Sequence, residues 1–396
     1  MSKTLRCARR QAWATQRLLP GKSHHQPHNA ALHASKVQKN TLRSFFPWTR
    51  TPFVVSAPML GASTSRLAIN VSRAGGLGFI AGGTDPASLN NMLEESKQHS
   101  FETFDYPYAD LLEKKRGVLP IGVGFQLFNS NLRLLAPVIA AHKPAVVWLF
   151  APKVEEDLRE WATQIRDVTA RSTRICVQVG SVAEAERSVA LAEPDFLILQ
   201  GADAGGHGRR QSASVISLVP EVKDRLAAIK KADIPVLAAG GIADARGVAA
   251  ALALGADGAV MGTRFLASEE AAVPEGWKRE LIKTGDGGVT TMRSTLCDRL
   301  KENREWPTWY DGRAIRNKGH DDKEGGMADE ENVRLYKEEL KRGDSAWGAQ
   351  GRMVTYSGTG VGLVRSVEPV QSIMEKTLRE CRHILDTSYQ QAVESS

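Results

Sequence analysis

Acidic residues are missing from the start of this 396-residue chain: the first Asp or Glu is Asp85, whereas residues 1–50 hold ten Lys and Arg. Cysteine is scarce as well. Cys7, Cys176, Cys297 and Cys381 stand far apart, and no pair has the close spacing of a zinc site or a redox dithiol. Reduced thiols and no metal are the expectation. His24, His25, His28, His33 and His142 all precede the glycine-rich strand ends considered below, so they offer a metal little more. No run approaches the ~18 to 20 consecutive apolar residues of a membrane-spanning helix, which argues against membrane insertion.

A formal charge of +7 suggests nucleic acid until its distribution is considered. The chain has 52 Lys and Arg, and without the ten in residues 1–50 they fall below the 45 Asp and Glu. A nucleic-acid partner thereby loses its support. An acid-free, Arg-rich segment carrying Leu5, Trp13, Leu18 and Leu19 has the composition of an organellar transit peptide. A disordered basic tail is the alternative for residues 1–50, so mitochondrial and cytoplasmic locations both stay open. The oligomeric state is not legible.

What the chain does contain, from residue 53, is a repeating order of short apolar run, Gly or Pro punctuation, and helical spacing. The runs are FVVSAP (53–58), LGFIAG (77–82), LPIGVGF (119–125), AVVWLF (145–150), RICVQVG (174–180), FLILQG (196–201), IPVLAAG (234–240) and GAVMGT (258–263). They are rich in Val, Ile and Leu without alternation, as strands buried on both faces of a parallel sheet are. Ser181 with Glu184 reads as a capping box, Asp244 as a helix cap and Gly255 as a helix stop. Eight such units fit an α/β fold of the (β/α)8 TIM-barrel type. An open doubly wound sheet is the alternative. The expected division is a basic segment over 1–50, a barrel over 51–267 plus 356–390, and a smaller helical or irregular unit over 268–355 near the barrel mouth.

In a barrel, chemistry gathers at the C-terminal strand ends, and the last two loops commonly hold a phosphate. Those loops read "AAGGIAD" (238–244) and "MGTRF" (261–265). Gly240 and Gly241 let backbone amides approach an anion, the helix beginning near Asp244 adds its N-terminal dipole, and Gly262 and Thr263 add amides and a hydroxyl. Pro58 and Met59 end the first strand, while Gln126 and Gln178 end or close the third and fifth; such amides can hydrogen-bond the edge of a heteroaromatic ring. "LILQGADAGGHGRR" (197–210) carries a strand into a glycine-rich loop bearing His207. Arg209 and Arg210 are expected to face solvent.

The set "APMLG", "AGGLGFIAGG", "VQVGSVAEAE", "LILQGADAGGHGR", "IPVLAAGGIADARGVAAALALGADGAVMGTRFLASEEA" and "WYDGRAI" resembles the nitronate monooxygenase family, formerly called 2-nitropropane dioxygenase. The likeness covers about residues 52 to 317 and, more loosely, "YSGTGVGLVRS" (356–366). The resemblance implies an FMN-dependent barrel that oxidises alkyl nitronates, or nitroalkanes, with dioxygen to carbonyl compounds and nitrite, without a nicotinamide. It implies that Pro58, Met59 and Leu60 contact the flavin, that Gln178 faces its ring, and that Gly205 and Gly206 let the backbone pass close to it. Ala239, Gly240, Gly241, Gly262 and Thr263 would bind the cofactor around its phosphate, and His207 would be catalytic. An NADH:quinone oxidoreductase or an enoyl-thioester reductase on the same FMN barrel is the rival enzyme, and a non-catalytic ligand-binding barrel the rival of another class.

Overall fold

All eight apolar runs become parallel strands in a computed structural model that describes residues 41–103, 117–303, 305–348 and 350–394. They are β1 (Val54–Ser56), β2 (Phe79–Ala81), β3 (Leu119–Gln126), β4 (Pro144–Phe150), β5 (Arg174–Val179), β6 (Phe196–Gln200), β8 (Val236–Ala239) and β9 (Gly258–Met261). A further strand, β7 (Gly206–Arg209), falls between β6 and β8 outside this sheet. The sheet runs β1-β9-β8-β6-β5-β4-β3-β2. Its edges meet where Ser56 N–H donates to the Leu77 carbonyl at 3.1 Å and Leu77 N–H to the Val54 carbonyl at 3.0 Å. The sheet therefore closes on itself as a barrel rather than spreading as a doubly wound sheet.

Continuous apolar runs are what such strands need. One face of each strand packs inward and the other against the helices, so β3, β4 and β9 are buried almost throughout. The helices start and stop where the polar punctuation directs. Ser181 accepts from Glu184 N–H at 3.2 Å and Gly255 sits at φ +95°. Glu184 departs from the expected capping box: its carboxylate accepts from Gly180 N–H at 2.7 Å instead of the cap residue's own amide.

The floor of the barrel comes from the segment expected to be a basic tail. Within and just after a short helix (Thr41–Phe45), Leu42, Phe46 and Trp48 are buried with Phe53, Phe79, Trp148 and Phe196 in one interior cluster. Phe46 stacks on Phe53 and meets the edge of Phe196, each at 5.9 Å between centroids, and Trp48 donates its indole N–H to the Gly76 carbonyl. The barrel thus includes residues from position 41 on. The transit-like residues 1–40 lie outside the described residues.

Beyond residue 267 the chain builds more than helices. β10 (Thr291–Ser294) and β11 (Tyr310–Ile315) form an antiparallel sheet with β7 in the order β10-β11-β7. Short helices (Glu275–Lys283, Leu296–Leu300, Lys318–Glu324, Asp329–Leu340) surround it. The last helix (Val370–Glu394) returns to the barrel, packing on Ala245–Ala253 and Ser65–Arg73. Among the described residues, no helix is long and apolar enough to cross a membrane.

Candidate active site

The C-terminal ends of the barrel strands surround a cavity of about 340 Å³, a size suited to a small organic ligand. The predicted residues converge on it. Pro58, Met59 and Leu60 line it from the end of β1, Gln178 from β5 and Gly206 with His207 from β7. Ala239, Gly240 and Gly241 line it after β8, and Gly262 with Thr263 after β9. Gln126, which ends β3, lines it too.

One part of the wall suits a phosphate. Gly240 and Gly241 have φ of +110° and +73°, the left-handed region where glycine is favoured. At Gly240 a Cβ would stand 2.9 Å from Ala204 N and 3.0 Å from the Gly201 carbonyl oxygen, so a side chain has no room there. Such turns aim consecutive N–H groups into a concavity, an anion nest. The expected helix dipole does not contribute: the Asp244 carboxylate caps that helix itself, accepting from Arg246 N–H at 2.9 Å and Gly247 N–H at 3.4 Å. A third segment, Tyr356–Gly360, joins the wall instead, through Tyr356, Ser357, Gly358 and Gly360. Gly358 donates its N–H to Thr263 Oγ1 at 3.0 Å, which leaves the Thr263 hydroxyl proton for a ligand. Among the described residues, no Asp, Glu, Lys or Arg lines the cavity.

The rest of the wall suits a flat ring. Met59, Leu60, Ala81, Trp148 and Phe150 are apolar, and Gly124 is forced to stay small because a Cβ there would lie 2.5 Å from Pro58. Gln178 accepts the indole N–H of Trp148 at 3.0 Å. Amides for a phosphate, apolar walls for a ring and an amide side chain at its edge fit a flavin cofactor.

His207 lies on a strand, not in the expected loop. Residues 206–209 pair with 310–313 of β11; of the flanking glycines, Gly206 has a φ of +68° and a Cβ at Gly208 would meet Gln200 Oε1 at 2.4 Å. Gln200 in turn donates its amide to the His207 carbonyl at 3.0 Å. The imidazole Nε2 lies 2.7 Å from Asp298 Oδ1, the two side chains being 10% and 9% exposed. Trp306 covers one face of the ring, with centroids 3.7 Å apart and planes 4° from parallel. Tyr356 stands 5.5 Å away, and burial pushes its hydroxyl well above the usual phenol range. Lys301 lays its ammonium 4.6 Å over the Tyr356 ring, where burial lowers its pKa. The arginines beside His207 are not equivalent: Arg209 is mostly covered and pairs with Glu184 at 3.3 Å, whereas Arg210 is exposed.

Asp298 and Trp306 escaped the sequence analysis, and Tyr356–Gly360 entered it only through the looser part of the resemblance, with no role at the site. Asp298 lies 91 residues from His207 and no local pattern links them. "YSGTG" did carry a signal, two glycines beside hydroxyl residues. No group of His, Cys, Asp and Glu suited to a metal ion occurs among the described residues.

Comparisons with known proteins agree with the barrel fold. Residues 163–380 match the family model described as nitronate monooxygenase. A nitronate monooxygenase of Metarhizium robertsii is 41% identical over 357 residues, covering 88% of this chain and 96% of the relative. One of Neurospora crassa is 37% identical over 372 residues with the same coverage. Among solved structures, FabK from Thermotoga maritima superposes with a TM-score of 0.66 at 27% identity, covering 88% of this chain and 98% of that one. A nitroalkane oxidase from Streptomyces ansochromogenes gives 0.61 at 25%, covering 87% and 99%.

Proposed function

Because the chain belongs to the nitronate monooxygenase family, we propose that it binds FMN and oxidises alkyl nitronates with dioxygen to a carbonyl compound and nitrite. The observation that carries this reading is that His207 and a charge-free amide nest share one cavity. Gly240, Gly241, Gly262 and Thr263 would hold the phosphate, Pro58, Met59 and Leu60 the ring, and Gln178 its polar edge. When bound, FMN supplies the exchange of electrons between nitronate and dioxygen.

The protein's own part is binding, orientation and proton handling. As an imidazolium, His207 would hold an anionic nitronate by a charge-assisted hydrogen bond. As a neutral imidazole it would take the carbon proton of a nitroalkane. The apolar walls would keep water from the reacting carbon, which would strengthen both interactions.

The test is direct. Purified protein should release FMN, not FAD. Anaerobic addition of a nitronate should bleach the flavin, and admitting air should restore the colour and release nitrite. Bleaching by NADH followed by reoxidation with a quinone, with no response to nitronate, would overturn the reading in favour of a quinone oxidoreductase. Recovery of FAD, or of no flavin after reconstitution, would remove its cofactor.

A further inference from the structure

The contacts around His207 assign its two nitrogens different tasks. Nε2 is engaged by the Asp298 carboxylate at 2.7 Å, in a setting where both side chains are largely covered. An ionised carboxylate only accepts hydrogen bonds, so a neutral ring must carry its proton on Nε2 and its lone pair on Nδ1. A half-turn of the ring about its Cβ–Cγ bond, which would put Cε1 in place of Nε2 and break the bond to Asp298, is opposed by its packing. Trp306 lies flat against one face at 3.7 Å, and Trp306 is itself backed by Phe128 at 4.5 Å and Phe150 at 6.1 Å. The strand beneath is fixed by its pairing with β11 and by Arg293, which donates to the Gly208 carbonyl at 2.8 Å and to Asp311 Oδ1 at 2.7 Å.

We infer that Asp298 and Trp306 are positioning residues: Asp298 holds His207 in the Nε2–H tautomer, so that Nδ1 is the atom that takes the substrate's carbon proton, and Trp306 fixes the plane of the ring. The proton taken from the carbon then sits on Nδ1. The resulting imidazolium is stabilised by the carboxylate on Nε2 and by the indole face. Both residues come from the stretch 296–306, so the connection between β6 and β8 supplies the base and a segment about a hundred residues later supplies its orientation. The role of Nδ1 rests on the function proposed above; the tautomer does not.

The groups around the pair are few. Cys297 and Arg299 share the helix of Asp298 and Lys301 caps its C-terminus, Tyr356 faces the ring, and Tyr336 approaches from the helix Asp329–Leu340. Burial lowers the pKa of Lys301 and pushes the Cys297 thiol up to about 12, and the charge of each opposes the shift of the other.

The test reads the tautomer first and activity second. Holoprotein labelled with ¹⁵N-histidine is titrated by NMR until the His207 ring is neutral, its signals being identified by their loss in His207→Asn. The inference requires the proton on Nε2 in the wild type, and a shift towards Nδ1–H in Asp298→Asn, whose amide can donate to Nε2. A wild-type proton on Nδ1, or an unchanged tautomer in Asp298→Asn, overturns it. The wild-type measurement decides even if the variant fails to fold. Kinetically, Asp298→Asn should lose about tenfold to a hundredfold in kcat on a nitroalkane with little change in KM, as losing the outer partner of a metal-bound histidine does. Trp306→Ala should fall likewise, and Trp306→Phe, which keeps a flat face, should recover most of the loss. If the wild type turns over no nitro compound or nitronate, the functional reading fails while the tautomer result stands.

Discussion

Trp148 donates its indole N–H to the side-chain oxygen of Gln178 at 3.0 Å. An indole nitrogen only donates, so the bonded atom of Gln178 must be its oxygen, and the NH2 end is the one left for a ligand. Trp148→Phe removes the donor while keeping the aromatic bulk. Flavin should then bind about twofold to tenfold more weakly, matching the ~0.5–1.5 kcal/mol of one hydrogen bond. Titration of apoprotein with FMN, followed by flavin fluorescence, measures it; unchanged affinity would show that the indole does not orient the amide.

His207→Asn should retain flavin yet lose turnover unevenly. A nitronate has already shed its carbon proton, whereas a nitroalkane needs a base whose loss typically costs ~10² to 10⁴ in rate. The comparison is kcat/KM for both forms of one substrate. Equal, small losses would return His207 to a structural role.

Gly240→Ala should abolish flavin retention. Its φ of +110° strains an alanine, and the added Cβ would press on Ala204 N at 2.9 Å, displacing one amide of the nest. Flavin absorbance per mole of purified protein is the readout, and a fully yellow variant would count against the nest as the phosphate site.

Phe46→Ala tests the barrel floor. Emptying a fully buried Phe position costs ~3–5 kcal/mol, which should appear in denaturant unfolding, while the flavin spectrum of the folded variant stays normal. A loss below ~1 kcal/mol would mean that the segment merely rests on the barrel.

His320 makes stability pH-dependent. Burial pushes its pKa down to about 4, with the nearby Arg316 charge adding to the effect, so the folded state holds it neutral. Between pH about 6.5 and about 4 the unfolded chain binds this proton and the folded one does not, so stability falls as pH falls through that window, by up to ~3 kcal/mol. His320→Gln should flatten this part of the stability profile. An unchanged slope would assign the acid sensitivity elsewhere.

The barrel and its nest were legible because both are local patterns. Strands buried on two faces must be continuously apolar, and amide nests need glycine where φ is positive, so FLILQ and AAGG announce themselves. The environment of His207 was not legible, for a physical reason. β7 owes its existence to a partner about a hundred residues away, and GGHG without that partner has the composition of a loop. Charge misled at the other end of the chain: ten basic residues overshadowed Leu42, Phe46 and Trp48, whose burial depends on a barrel that the same residues close.

The shared sheet β10-β11-β7 also bears on motion. A lid that merely rested on the barrel could swing aside to admit one molecule and release another. Here the covering unit grips the strand that carries His207, and swinging it away would either tear four paired residues apart or pull the base out of the site. Leu60, a cavity residue left 67% exposed, lies on a part of the rim that this sheet does not form.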